Sequence, residues 1–125
     1  YLDSGYSIIV IYPIPQWNES VSREIYDTYK NINKNFLIQI NNFDTISLDE
    51  DFYSLTIKIN EKLDALSHEN LFFIYPKKIF CNNDKNNKCL AHSPNEIYFT
   101  DQDHLSKTGS EILNAELIKI IDKIK

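Results

Sequence analysis

Two short apolar runs predict buried β-strands. Ser7–Tyr12 and Leu71–Tyr75 are rich in β-branched or aromatic residues and lack the polar alternation of a half-exposed strand. Such runs are typical of parallel sheets, whose strands are covered by helices on both faces. Pro13 and Pro76 follow the two runs, and proline cannot donate a ladder hydrogen bond. We therefore predict that the chain leaves the sheet at each of these prolines.

The helical spacing of other apolar positions predicts three amphipathic helices. The first runs from Ser20 to about Asn33, and the second opens on the capping-box pattern Ser47–Glu50 and continues to Leu66. The third forms the end of the chain, after Ser106. A helix between two parallel strands makes the crossover of a βαβ unit, so the predicted class is α/β.

Composition and charge exclude several classes of protein. Hydrophobic residues make up 42% of the 125 residues and charged residues 25%, which is typical of a folded globular chain, and we treat residues 1–125 as a single domain. The net charge of −5 comes without a stripe of lysine and arginine, so we expect no nucleic-acid partner. The longest apolar stretch, Ile8–Ile14, is far shorter than the roughly 20 residues of a membrane helix.

Two cysteines, Cys81 and Cys89, flank a polar, turn-prone run of asparagine, lysine and aspartate. This spacing suits a closed loop better than a CxxC redox pair or a zinc knuckle. We favour a disulfide and an oxidising compartment. The alternative is a pair of unrelated buried thiols in a reducing compartment.

Asp101 and His104 lie in a polar turn directly before the predicted terminal helix. A carboxylate in this position can accept the imidazole Nδ1 proton, fix the tautomer and stabilise the imidazolium during general-base catalysis. The alternative interpretation is that Asp103 or Ser106 caps the helix while His104 is a solvated loop histidine. The spacing alone favours the second interpretation.

The wider segment changes this balance. Tyr98–Gly109 resembles the last motif block of the SGNH hydrolase superfamily, in the D-x-D/x-H-L-S-x-x-G form of SGNH domains fused behind membrane acyltransferase-3 domains. Other landmarks of that subgroup occur in the same order: a strand ending in Tyr12–Pro15, and the Cys81/Cys89 pair before the motif. The resemblance implies a flavodoxin-like three-layer sandwich with parallel strands.

Roles for individual residues follow from the same resemblance. It implies that Asp101 is the acid and His104 the general base of a Ser-His-Asp triad, with Asp103 as an accessory neighbour. It also implies that Gly109 lets the terminal helix approach the sheet closely. Asp101 and His104 are therefore the predicted catalytic residues.

The family's nucleophile is not recognisable in this sequence. The family places its serine in a GDS-like turn after the first strand and adds a glycine and an asparagine as oxyanion-hole donors. Asp3–Gly5 is the only comparable run, but it precedes a strand, and we interpret it as a helix-ending turn. We therefore expect a partial SGNH sandwich, the C-terminal part of the domain, whose N-terminal strands and nucleophile block lie upstream, and negligible activity of this chain alone.

The implied reaction is O-acetylation of a cell-surface polysaccharide such as lipopolysaccharide O-antigen, through an acyl-serine intermediate. The resemblance implies a glycan acceptor, an acyl donor delivered by a membrane acyltransferase domain of the same parent protein, and a periplasmic location tethered to the inner membrane. We expect no cofactor and no metal. One alternative is a non-catalytic remnant that binds glycan or the membrane domain, and another is a metal-binding module of Asp101, Asp103 and His104.

Three further residues have chemistry that the motif does not use. Trp17, in the loop after the first strand, is a candidate for stacking on a sugar at the rim of the site, and its alternative role is to cover the edge of the core. His68 is predicted at the end of the second helix, where histidine meets the helix dipole favourably, and His92 in a loop. We expect neither histidine to be functional.

Overall fold

A computed structural model describes residues 1–31, 50–81, 89–93 and 95–124. Its elements are a 3₁₀ turn (Leu2–Ser4), β1 (Ile8–Ile11), α1 (Val21–Asn31), α2 (Glu50–Asp64), β2 (Leu71–Ile74), α3 (Pro76–Phe80) and α4 (Lys107–Ile124). The prediction of mixed helices and strands is therefore confirmed. No helix in these ranges is long and apolar enough to cross a membrane.

The two apolar runs form a small parallel sheet. Ile8 pairs with Leu71 and Ile11 with Ile74, and the residues between these two pairs keep the same register. The backbone N–H of Tyr12 donates to the carbonyl of Ile74 over 2.9 Å, and the chain then leaves the sheet at Pro13, as predicted. In the described ranges the sheet consists of β1 and β2. These two strands are compatible with an α/β architecture, and they do not by themselves make a three-layer sandwich.

The helices follow the apolar periodicity more closely at their starts than at their ends. The prediction for α1 is one residue too long at Ser20, and its predicted end near Asn33 lies outside the described residues. Most of the capping-box segment before Glu50 also lies outside them. α2 ends at Asp64 and not at Leu66, because the chain turns there towards β2.

The short helix α3 was not predicted. Pro76 was interpreted only as the end of a strand, but it also stands at the start of this helix. A proline fits the first turn of a helix because the backbone N–H that it lacks would have no intrahelical partner there. Cys81 follows the helix and is joined to Cys89 by a disulfide, so the predicted disulfide is present.

One cluster of buried hydrophobic residues is formed by segments outside the two strands. Its fully buried members come from the segment after β1, the end of α3 and the segment before α4: Trp17, Val21, Phe80, Ala91 and Phe99. Phe99 makes edge-to-face contacts with Trp17 and Phe80, with ring centroids 5.4 and 5.1 Å apart. Aromatic pairs prefer this arrangement, which adds to the free energy gained by burial. We call these five residues the aromatic core.

A second contact fixes α2 to the carboxyl end of the sheet. The Tyr12 hydroxyl is buried and donates to Asp64 Oδ1 over 2.5 Å, at the last residue of α2. Burial, followed by the hydrogen bond to Asp64, raises the pKa of Tyr12 well above its ordinary value. The Tyr12 ring also packs on that of Tyr75, with centroids 4.4 Å apart. The phenol therefore stays protonated and holds the helix end to the sheet.

Candidate active site

The predicted catalytic residues lie on a loop closed at its base by backbone hydrogen bonds. Phe99 and Leu105 form an isolated antiparallel bridge at the two ends of this loop. Within the loop, the carbonyl of His104 accepts hydrogen bonds from the backbone N–H and the hydroxyl of Thr100, over 2.9 and 3.2 Å. We call residues 100–104 the catalytic loop, after the role predicted for Asp101 and His104. Its side chains are largely exposed, so hydrogen bonds and not apolar packing hold its conformation.

The Asp101 carboxylate organises the loop through contacts with backbone N–H groups and with the His104 ring. Its Oδ1 accepts the backbone N–H of Asp103 over 3.1 Å and that of His104 over 2.8 Å. Both carboxylate oxygens of Asp101 lie 3.0 Å from His104 Nδ1. An ionised carboxylate only accepts hydrogen bonds, so Nδ1 must carry a proton. In the neutral imidazole, Nε2 is then left as the acceptor, which is the tautomer that a general base requires.

The same contacts shift the pKa values of both residues. The backbone N–H of Asp103, together with the backbone and side chain of His104, lowers the pKa of Asp101 below its ordinary value. The hydrogen bond to Asp101, followed by the negative charges of Asp101 and Asp103, raises the pKa of His104. The pair therefore favours an ionised Asp101 and a more basic imidazole. The imidazole side chain is 74% exposed, so a substrate group has access to it.

Asp103 is a second carboxylate beside the imidazole. Its Oδ1 lies 2.9 Å from His104 Nδ1, close to the distances from Asp101. Asp101, Asp103 and His104 each offer a ligand atom, and these atoms lie within 4.8 Å of one another, so the three residues have the spacing to hold a metal ion. Exposed acidic groups often have this spacing without a metal. The contacts between Asp101 and His104 Nδ1 are also those expected of a hydrogen-bonded Asp-His pair.

Ser106 and Gly109 join the loop to the terminal helix. Ser106 donates its backbone N–H to the carbonyl of Tyr98 over 2.9 Å and its hydroxyl to the carbonyl of Ile97. The Ser106 hydroxyl also accepts the backbone N–H of Gly109 over 3.0 Å, at the first turn of α4. A Cβ atom at Gly109 would lie 2.1 Å from the Tyr98 carbonyl oxygen. Gly109 thus permits a close approach of α4, as expected, but to the segment before the loop and not to the sheet.

Trp17 does not lie at the rim of the site. Its side chain is 2% exposed and packs in the aromatic core against Phe99, so no ring face is open to a sugar. Of the two roles considered from the sequence, the structure favours the one in the core. Its backbone nevertheless contacts the catalytic loop, since the Trp17 N–H donates to the carbonyl of Gln102 over 2.9 Å.

The remaining candidates lie in other environments. Ser4 ends the 3₁₀ turn, and Gly5 follows with a φ of 83°, so Asp3–Gly5 is the helix-ending turn that was predicted. His68 lies beyond the end of α2, where Nδ1 accepts the backbone N–H of Asn70 over 3.0 Å, so its predicted position at the helix end is wrong. His92 is buried, and its ring contacts the Ser93 carbonyl.

No serine hydroxyl in the described part of the chain hydrogen-bonds to His104. The structure does reveal one serine that the sequence did not single out. Ser22, on the first turn of α1, donates its hydroxyl to the carbonyl of Thr100. The two residues are 78 positions apart, and no sequence motif joins them. The site therefore contains an oriented Asp-His pair and its supporting contacts.

A family model described as "SGNH domain (fused to AT3 domains)" matches residues 1–119. The chain belongs to this family. The suspected membership is thereby confirmed, and the SGNH domain has an acyl-transfer-related role of the hydrolase or acyltransferase kind. The fusion to AT3 domains in the family points to a membrane acyltransferase as partner domain. No curated protein and no solved structure matches the chain.

Proposed function

We propose that this chain supplies the Asp-His pair of a Ser-His-Asp triad in an SGNH acyl-transfer domain. The observation that carries the proposal is the contact between the Asp101 carboxylate and His104 Nδ1, on an exposed imidazole within a rigidly hydrogen-bonded loop. The nucleophilic serine comes from another segment of the parent protein, together with the oxyanion-hole donors. The β1–β2 sheet then forms part of the family's three-layer sandwich, with residues 1–125 as its C-terminal part.

The geometry supports the following order of proton transfers. His104 Nε2 takes the proton of the serine hydroxyl as its oxygen attacks the acyl carbonyl, while Asp101 stabilises the imidazolium through Nδ1. The imidazolium returns this proton to the leaving group, which leaves an acyl-serine. In the second half, Nε2 deprotonates an acceptor hydroxyl, which attacks the acyl-serine, and the proton returns to the serine oxygen. The raised pKa of His104 favours both proton-accepting steps.

The substrate and location are further parts of the proposal. The acceptor is a hydroxyl of a cell-surface polysaccharide such as lipopolysaccharide O-antigen, and the acyl group is acetyl, delivered by the membrane AT3 domain of the parent protein. The family's fusion to AT3 domains supports this donor. The disulfide between Cys81 and Cys89 supports an oxidising compartment, and the compartment that we propose is the periplasm next to the inner membrane.

The test measures acetyl-ester turnover and acetyl transfer by the full-length parent protein. We expect H104A to lower kcat by roughly 10⁴-fold or more, because loss of a triad member removes the base, and D101N by about 10⁴-fold, because it stabilises the wrong tautomer. H68A is the matched control and should leave kcat unchanged, since His68 contacts Asn70 and Asp3 and not the loop. The 125-residue chain alone should show negligible turnover.

Two results would contradict the proposal. Unchanged turnover in the parent protein carrying H104A would mean that the loop is not catalytic, as in a non-catalytic binding domain. Loss of turnover on removal of divalent metal, with recovery on its return, would mean that Asp101, Asp103 and His104 form a metal centre instead.

A further inference from the structure

The catalytic loop has little packing of its own to hold it in place. The side chains of Asp101 and His104 are 42% and 74% exposed, so neither is fixed by neighbouring apolar groups. Their geometry therefore depends on the backbone around Asp101, whose carboxylate must reach both the loop N–H groups and the imidazole. In catalysis, a misplacement of about 1 Å can lower the rate roughly 100-fold.

Two donors from the segment after β1 hold the carbonyl groups of the residues before and after Asp101. The backbone N–H of Trp17 donates to the carbonyl of Gln102 over 2.9 Å, and the hydroxyl of Ser22 donates to the carbonyl of Thr100. Thr100 and Gln102 are the immediate neighbours of Asp101 in the chain. The carbonyls of Thr100 and Gln102, one residue before Asp101 and one after it, are thus both held by residues 17–22.

Residues 17–22 form a firm support because their own anchor is the aromatic core. Trp17 is 2% exposed, and Val21, directly before Ser22, is completely buried. The backbone N–H of Glu24 donates to the carbonyl of Ser20 over 3.0 Å and starts α1 at this point. Ser22 itself is on the surface, so its hydroxyl is not required to fill a buried space. Removal of this hydroxyl should affect the loop and leave the core intact.

We propose that Ser22 is a positioning residue for the Asp101–His104 pair, which it fixes by holding the Thr100 carbonyl against the first turn of α1. The contact between Ser22 and Thr100 is seen in the structure. Its importance for catalysis rests on the proposed function. Ser22 touches neither the imidazole nor a reacting atom. It acts on the backbone from which Asp101 extends.

The chain offers a matched control two residues away. Ser20 carries the same hydroxyl directly before α1, and its Oγ hydrogen-bonds to Ser22 Oγ over 3.4 Å, so S20A also shows what the loss of that bond alone does. S22A removes the hydroxyl that reaches Thr100, S22T keeps a hydroxyl at the same position, and S20A removes the neighbouring one. A change in α1 alone would appear in S20A as well as in S22A.

The first measurement uses the full-length parent protein and needs no activity. In S22A, we expect amide hydrogen exchange of Asp103 and His104 to accelerate roughly fivefold, the factor expected for the loss of one hydrogen bond. Both N–H groups donate to Asp101 Oδ1, so they report directly on the loop. The His104 pKa, read by NMR, should fall towards its ordinary value in S22A. S20A and S22T should resemble the unmodified chain in both measurements.

The second measurement uses the full-length parent protein. We expect S22A to lower kcat for acetyl transfer roughly tenfold at unchanged KM, because the hydroxyl orients the base and does not bind substrate. S22T should restore kcat, and S20A should not lower it. Equal exchange rates and equal His104 titration in S22A and S20A would overturn the proposal. If S22A changes the exchange rates while H104A leaves turnover intact, the contact stands and the proposed function fails.

Discussion

The aromatic core and the two-stranded sheet are built very differently. All five residues of the aromatic core are at most 4% exposed, and they come from segments far apart in the sequence. On the side of the sheet, Ile11 in β1 is 46% exposed and Leu55 in α2 is 60% exposed. The sheet side thus combines exposed apolar residues with buried ones such as Ile74, whereas the aromatic core next to the catalytic loop is buried throughout. The loop does not depend on the sheet for its immediate support.

The hydrogen bonds of the two regions show the same contrast. The segment from Ile97 to Gly109 is joined to its neighbours through Trp17, Ser22 and Ala91 as well as through its own bridge. In the described ranges, β1 and β2 each pair with one strand, so each has one edge without a ladder partner there. The segment that holds Asp101 and His104 is thus tied to three separate parts of the chain.

The largest expected effect separates the two regions by stability. F99A removes a completely buried ring at the centre of the aromatic core, and we expect a loss of about 3–5 kcal/mol in the free energy of unfolding. L55A removes a side chain that is 60% exposed, and the expected loss is about 0.5 kcal/mol. Urea unfolding followed by circular dichroism gives both values. Similar losses for the two variants would contradict the comparison.

The disulfide should have the next largest effect. Cys81 and Cys89 close a small loop next to Phe80 and Ala91 of the aromatic core, and the backbone N–H of Leu90 donates to Phe80 over 2.7 Å. Replacement of both cysteines by serine should lower the free energy of unfolding by about 2–3 kcal/mol through the entropy of the unfolded chain. Urea unfolding with and without reductant measures this loss. Reductant should destabilise the original chain and leave the double-serine variant unchanged.

The smallest expected effect lies within the loop and distinguishes its two carboxylates. D101N should lower the raised pKa of His104 more than D103N, because Asp101 both hydrogen-bonds and attracts the imidazolium while Asp103 acts mainly by its charge. NMR titration of the His104 ring measures both. Glu96→Gln, which removes an exposed carboxylate outside the loop, is the control. A larger shift in D103N would make Asp103 the triad acid.

Asp101 and His104 change the free energy of unfolding with pH in opposite directions. The pKa of His104 is raised, so its contribution to stability is complete below the ordinary histidine pKa and is lost as the pH rises through the raised value. The pKa of Asp101 is lowered, so its contribution is present above the ordinary carboxyl pKa and is lost as the pH falls through the lowered value. D101N should remove the Asp101 contribution and reduce that of His104, whose pKa Asp103 also raises. Unfolding curves at several pH values measure both changes.

The sequence predicts the local elements well because their causes are local. The apolar runs at Ile8–Ile11 and Leu71–Ile74 are strands, and their parallel pairing follows from the helical segments between them. The helix Pro76–Phe80 was missed because proline was interpreted in one role when it has two. α2 ends before Leu66 because a turn leads into β2, and apolar spacing does not report such a turn.

In the candidate site, too, the contacts between residues close in sequence could be predicted and those between distant residues could not. Asp101 and His104 are close in sequence, so their contact could be expected from the motif, and the structure places them 3.0 Å apart. The contacts of Trp17 and Ser22 with the loop join residues far apart in sequence, and spacing carries no information about them. The burial of Trp17 could not be predicted either, because an aromatic residue after a strand fits a core edge as well as a binding surface.

Trp17 has one more consequence, which concerns how the protein can be observed. It is the only tryptophan in the chain, and its ring lies buried against Phe99 directly before the catalytic loop. Tryptophan fluorescence of this chain, excited beyond the absorption of its eight tyrosines, is therefore a single-site signal from the support of the loop. Quenching and emission wavelength can then follow the opening of this region in real time, without an added label.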